Sequence, residues 1–171
     1  MDYALFRELL QNSADAKAED VVISFGSTIP GGLTSENITS IGSCQVDRLT
    51  VKNNGQYFKE DDWNRLKEIA KGNPDESKIG AFGVGFYSVF ELTDEPLVHS
   101  GEIVMSFYYF GDQLCYRRDT IEDSNKWTVI DLPYREPKSL PVLSQFIAFL
   151  TQSFALVPLH SIELVVDGIT L

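Results

Sequence analysis

Three polar side chains near the start of the chain, Glu8, Asn12 and Asp15, stand four and three residues apart, a spacing that puts them on one stripe of a helix. An amide oxygen such as that of Asn12 can coordinate magnesium. A carboxylate such as Glu8 can take a proton from water. Leu5, Leu9, Ala14 and Ala16 surround them, so the polar stripe borders an apolar one. An ordinary solvated helix face has the same spacing, and these residues alone do not separate the two readings.

A second cluster lies in GAFGVGF at 80–86, where Gly80, Gly83 and Gly85 are spaced G-x-x-G-x-G. Glycine at this density weakens helix and strand, so it needs a backbone reason. One reason is a loop whose amides approach an anion and which ends at the N-terminus of a helix beginning near Phe86. Lys78 is near enough in sequence to add a positive charge. The order differs from the dinucleotide fingerprint G-x-G-x-x-G. A tight structural turn would use the same glycines.

Two shorter segments complete the set. VKNNGQ at 51–56 ends a strand in Asn53, Asn54 and Gly55, a composition that also favours a plain β-turn. WTVIDLP at 127–133 places Thr128 at the start of a strand, where its hydroxyl can reach a ligand or simply face solvent.

The elements that must position these residues follow from pattern. Helix formers run through residues 2–17, and EDVVISF gives a strand over 20–25. Residues 26–45 are rich in Gly, Ser and Thr without period and read as a loop. RLTVK at 48–52 alternates as a strand does. Residues 59–71 form a helix, with Glu60, Asp61 and Asp62 in its first turn, Lys67 and Lys71 in its last, and Gly72 after it. GNPDES is a loop, and a helix opens at 86–90. Strands follow over 96–100, 102–110 and 113–118, the last two joined at Gly111-Asp112, a two-residue hairpin signal. A strand over 127–132 leads to a long helix after Ser139 with Leu143, Phe146, Ile147, Leu150 and Phe154 on one face. Residues 162–166 form the last strand. This order is an α+β or two-layer α/β pattern with a largely antiparallel meander.

Composition narrows the partners. A chain of 171 residues fits one domain, and its apolar residues are spread along the whole length. The formal charge of −11 repels phosphate backbones, which argues against nucleic acid and anionic membranes. A small polyphosphate stays admissible, because local amides and a magnesium ion decide its binding. Cys44 and Cys115 are too few and too scattered for a disulfide framework or a zinc site. No apolar run approaches the roughly 20 residues of a membrane span, and MDYALFREL is not a signal peptide. Cytoplasm or nucleus is the expected compartment. His99 and His160 lie in or beside strands, which argues against a phosphoacceptor histidine helix.

Taken in order, the four segments resemble the GHKL superfamily of gyrase, heat-shock chaperone, histidine-kinase and MutL ATPases. RELLQNSADA is similar to its first box, which would make Glu8 the general base, Asn12 the magnesium ligand and Asp15 the aspartate one turn later. KIGAFGVGFYSVF at 78–90 resembles the phosphate-binding glycine box of the ninety-kilodalton heat-shock chaperones. That likeness assigns Lys78, Gly80, Phe82, Gly83, Val84, Gly85 and Phe86 to the nucleotide. Thr128 matches the threonine that helps bind the adenine end, and Asn53 with Gly55 matches the second box. NNG, DW, GNPDESKIGAFGVGFYSVF, SG and WTVIDLPYREP are similar to sacsin-like proteins, and to a large fungal family among them. The resemblance implies a Bergerat-type two-layer sandwich: a mixed, mostly antiparallel sheet with helices on one face, and residues 73–77 in a lid.

Two departures stand out. The second box normally carries an aspartate that accepts the adenine amino group, and here the position is Asn53. An asparagine lacks the charge that strengthens such a bond, a loss of about 1–2 kcal/mol. Trp127 also replaces a glycine before the threonine. The superfamily normally carries a segment ahead of the first box, so more chain is expected upstream. The expectation is a slowly hydrolysing, magnesium-dependent, chaperone-like module that binds ATP or ADP, with client proteins and further domains as partners. The alternative is a degenerate pocket kept as a scaffold.

Overall fold

Val21, Ile23 and Phe25 alternate with half-buried residues along β1 (Asp20–Ser27), so one face of that strand is sealed and the other is not. The computed structural model describes residues 3–71 and 84–171, with backbone alone for Val84, Gly85 and residues 123–125. In chain order the elements are α1 (Ala4–Asp15), β1, β2 (Gln45–Asn53), α2 (Glu60–Ala70) and α3 (Val84–Tyr87). Then come β3 (Leu97–Phe110), β4 (Gln113–Ser139), α4 (Leu143–Phe154), β5 (Ser161–Val166) and β6 (Ile169–Thr170). Short 3₁₀ turns lie at Ile38–Ser43 and Ser88–Glu91.

The six strands form one mixed sheet in the order β3-β4-β2-β1-β5-β6. Among the described strands only β1 and β5 run parallel. Register carries the sealed face across the sheet. Val21, Ile23 and Phe25 pair with Asn53, Val51 and Leu49, which in turn pair with Thr128, Ile130 and Leu132. Paired residues share a face, so this one is apolar except at its end, where Asn53 meets Thr128.

The helices cover that face. Phe6 of α1 packs on Phe25 of β1, and Phe146 of α4 meets both rings at centroid separations of 4.8 and 6.0 Å. Phe86 of α3 packs against Phe107 of β3. The two-layer mixed α/β sandwich is the architecture expected above. Among the described residues no helix is long and apolar enough to cross a membrane.

Several boundaries differ from expectation, each for a local reason. The two strands anticipated over 96–100 and 102–110 are one: Gly101, at φ +62°, absorbs register shifts on both sides as a bulge. β4 continues past Leu132 to Ser139, because a register shift between Val46 and Arg48 of β2 accommodates the proline-bearing stretch. β2 starts at Gln45, three residues early. β6 follows Asp167 and Gly168, whose φ values of +49° and +83° make a two-residue hairpin turn. On α4, Phe146 and Leu150 are buried as expected, but Ile147 and Phe154 are exposed. The sealed stripe is narrower than the apolar one.

Candidate functional site

α1 carries the first three residues singled out. Leu5, Phe6, Leu9 and Leu10 bury one side of it, which turns the next stripe toward the sheet's polar end. Ser13 satisfies its hydroxyl on the Leu9 carbonyl at 2.8 Å. Asn12 does not: its residue is only 5% exposed, and neither Oδ1 nor Nδ2 has a hydrogen-bond partner among the described residues. A sealed amide left empty on both sides costs on the order of 1–3 kcal/mol per group. Such an atom in a folded protein calls for an explanation, and a bound ion or water is one. Glu8 is half-buried one turn earlier and makes no hydrogen bond or ion pair among the described residues. Asp15 is exposed and accepts a bond from Gln11 Nε2 at 3.1 Å.

The end of α1 is tied to the second segment. Lys17 takes a left-handed φ of +58°, and the bonds Lys17 N to Ala14 O and Ala18 N to Ser13 O close the helix as a Schellman motif. That leaves the Ala16 carbonyl free to accept the Gln56 N–H at 2.7 Å. Gly55 sits against it so closely that only a residue without a β-carbon fits. Asn54 does the fastening on the other side. Its Oδ1 accepts the N–H groups of Glu19 and Asp20 at 2.9 and 2.8 Å, and its Nδ2 donates to Asp20 Oδ2 at 2.8 Å. Asn54 is therefore structural, and Asn53 is the residue of the pair that faces the site.

At the polar end of the sheet a row of three side chains crosses three strands. Asn53 Oδ1 accepts the Gly55 N–H at 3.1 Å. Thr128, its register partner on β4, is 1% exposed and shares a 2.7 Å hydrogen bond with Ser100 Oγ of β3. Ser100 Oγ also accepts the Phe58 N–H at 3.0 Å. Ser100 escaped the sequence reading. The only available signal was the SG pair before the bulge at Gly101.

Phe58 links this row to a cavity of about 320 Å³ lined by Asn12, Asp15, Gln56, Phe58 and the first turn of α2. α2 is held there by its own N-terminus and by β4. Asp62 Oδ2 accepts the Lys59 N–H at 2.8 Å, and Glu60 grips Arg118 with both oxygens at 2.7 and 2.8 Å. Arg118 also lies over the buried Trp63 ring. The Arg118 guanidinium, helped by Lys67, pulls the Glu60 carboxyl down to about 2. A larger concavity of about 470 Å³ near Leu5, Glu91 and Lys138 contains none of the residues singled out.

The structure thus brings Asn12 and Asp15 to one cavity, and joins Asn53, Gly55 and Thr128 beside it. Phe86 is fully buried against Phe90 and Phe107, so its ring is core and only its backbone could serve a ligand. Val84 and Gly85 open α3, which packs against α1. Lys78, Gly80, Phe82, Gly83 and the lid stretch 73–77 lie outside the described residues. Among the described residues no cluster of three or more His, Cys, Asp or Glu could cage a metal. The Asn12 Oδ1 is an oxygen donor of the kind that could hold magnesium.

Comparison with known proteins bears on the family and the fold. The family model of the Sacsin domain matches residues 1–147. Human sacsin is 36% identical over 102 residues, which is 57% of this chain and 2% of the sacsin length. The Aquifex aeolicus MutL ATPase domain complexed with ADP aligns with 99% of this chain and 61% of its own, at a TM-score of 0.51 and 16% identity. At that identity the likeness establishes the fold alone.

Proposed function

This chain belongs to the Sacsin domain family, and we propose that it binds magnesium with ATP and hydrolyses the nucleotide slowly, as a chaperone-like module of a larger protein. The observation that carries the reading is the buried and unpartnered amide of Asn12, a residue that lines the cavity. In this reading Asn12 Oδ1 holds the magnesium, which when bound neutralises phosphate charge. Glu8, one helical turn away on the same stripe, accepts the proton of the attacking water. Asp15 orders water around the ion. Asn53, Thr128 and Ser100 form the floor for the base, and Gly55 lets that floor meet the end of α1. Lys78, Gly80, Phe82, Gly83, Val84, Gly85 and the Phe86 backbone are assigned to the phosphates. Slow turnover is expected in this reading because, apart from Lys78, no cation is assigned to the charge that develops on the phosphates.

Glu8→Ala tests the chemistry apart from binding. The variant is expected to bind magnesium and ATP as the unmodified chain does while losing ATPase activity at least a hundredfold. Unchanged activity would remove Glu8 from the mechanism. A second reading, a scaffold that has lost its nucleotide, is favoured by Asn53 standing where the resemblance expects a carboxylate. No heat and no thermal shift with magnesium and millimolar ATP would select it.

A further inference from the structure

α4 and the residues on either side of it form the longest uncharged run of the chain. Residues 139–159 hold no Asp, Glu, Lys or Arg, in a protein of formal charge −11. Part of the run is core, since Phe146 and Leu150 are buried. The rest is outside: Val142, Ile147 and Phe154 are exposed, and Leu156 is 85% exposed. A surface helix ordinarily turns charged side chains to solvent, and α4 turns none. An exposed apolar patch marks an interaction site, and the centres of protein interfaces are depleted of charge in the same way. A membrane surface fits poorly, because the run lacks the basic residues that hold an amphipathic helix to lipid headgroups.

The shape beside the helix is self-complementary. An open groove of about 380 Å³ is lined by Ile147, Leu150, Thr151 and Phe154 of α4 and by Ile162 and Leu164 of β5. Thr151 donates its hydroxyl to the Ile147 carbonyl at 2.8 Å, so that hydroxyl needs no water. The four α4 residues are symmetric about the point between Leu150 and Thr151. Reversing the helix there exchanges Ile147 with Phe154 and Leu150 with Thr151. A two-fold axis at that point lays α4 of one copy antiparallel on α4 of another, with Ile147 of each against Phe154 of the other. Two chains that each carry −11 repel one another, and contact through this run adds no carboxylate to that repulsion. We infer that this face is where two copies of the chain pair, α4 on α4 in antiparallel orientation. The groove shares no lining residue with the cavity at Asn12, so the pairing does not depend on nucleotide.

One helix and one groove per copy make a contact at the small end of stable interfaces, so the dimer is expected to dissociate at about 10–100 μM. The test is sedimentation velocity of the full chain over about 1–500 μM, without nucleotide. Ile147→Lys and Phe154→Glu, both at exposed positions, are each expected to weaken self-association at least tenfold, because a charge then enters a dry contact. Mixed together, the two variants are expected to associate more tightly than either does alone, since the new ammonium of one faces the new carboxylate of the other. An unmodified chain that stays monomeric throughout overturns the inference, and that measurement requires no variant to fold. Dimerisation that both substitutions leave unchanged, or that the mixture fails to restore, overturns it as well.

Discussion

Gly55 and Ala16 are in such close contact that a β-carbon on Gly55 would lie 2.7 Å from the Ala16 carbonyl oxygen. The same carbonyl accepts the Gln56 N–H, so this one contact joins the turn after β2 to the end of the helix that carries Asn12. Gly55→Ala must therefore push the turn away from backbone, which cannot yield as a flexible side chain does. The expected cost is about 1–3 kcal/mol of stability, read from urea unfolding. A change below about 0.5 kcal/mol would mean that the turn is not clamped on α1.

Asn54 fastens the other side of that turn to β1. Asn54→Asp keeps the acceptor for the Glu19 and Asp20 N–H groups but replaces the donor that meets the Asp20 carboxylate. Two carboxylates then face each other. The variant is expected to be less stable than the parent at pH 7 by about 1–3 kcal/mol, because a bond to a charged group is lost and repulsion is gained. A loss below about 0.5 kcal/mol in urea unfolding would contradict the assigned contact.

The Glu60–Arg118 fork sets a pH dependence whose sign follows from the shift. The folded carboxyl titrates at about 2 against an ordinary 4.5, a depressed value. Its contribution to stability is thus present above pH 4.5 and is lost as pH falls toward 2. Urea midpoints of the parent and Glu60→Gln should differ at pH 6 and converge across that window. Glu60 is largely solvent-exposed, so the difference is expected to be small. Parallel curves from pH 6 to pH 2 would show that the fork does not contribute.

Much of this was legible in the spacing of residues. The stripe of Glu8, Asn12 and Asp15, the helix over 59–71 and the Gly111-Asp112 hairpin needed only local pattern, and each is where local pattern put it. What escaped depended on the neighbouring strand. Gly101 reads as a break, yet pairing with β4 turns it into a bulge. Pro133 reads as a stop, yet β2 shifts register to carry β4 on to Ser139. Ser100 is a small polar residue with no periodic signature, and only the fold places it against Thr128. The apolar stripe of α4 overstated what is buried, since the sheet reaches Phe146 and Leu150 but not Ile147. The Asp167-Gly168 hairpin was legible from its composition and went unread.

The central claim rests on Asn12, and calorimetric titration of the full chain with ATP, with and without magnesium, tests it most directly. The account predicts magnesium-dependent binding by the unmodified protein and at least a tenfold loss in Asn12→Ala. Removing the unpartnered amide should leave the unfolding midpoint unchanged or raised, because a buried cost is relieved. Equal affinity of Asn12→Ala and the unmodified chain for magnesium–ATP would contradict the assignment of this residue and the site built around it.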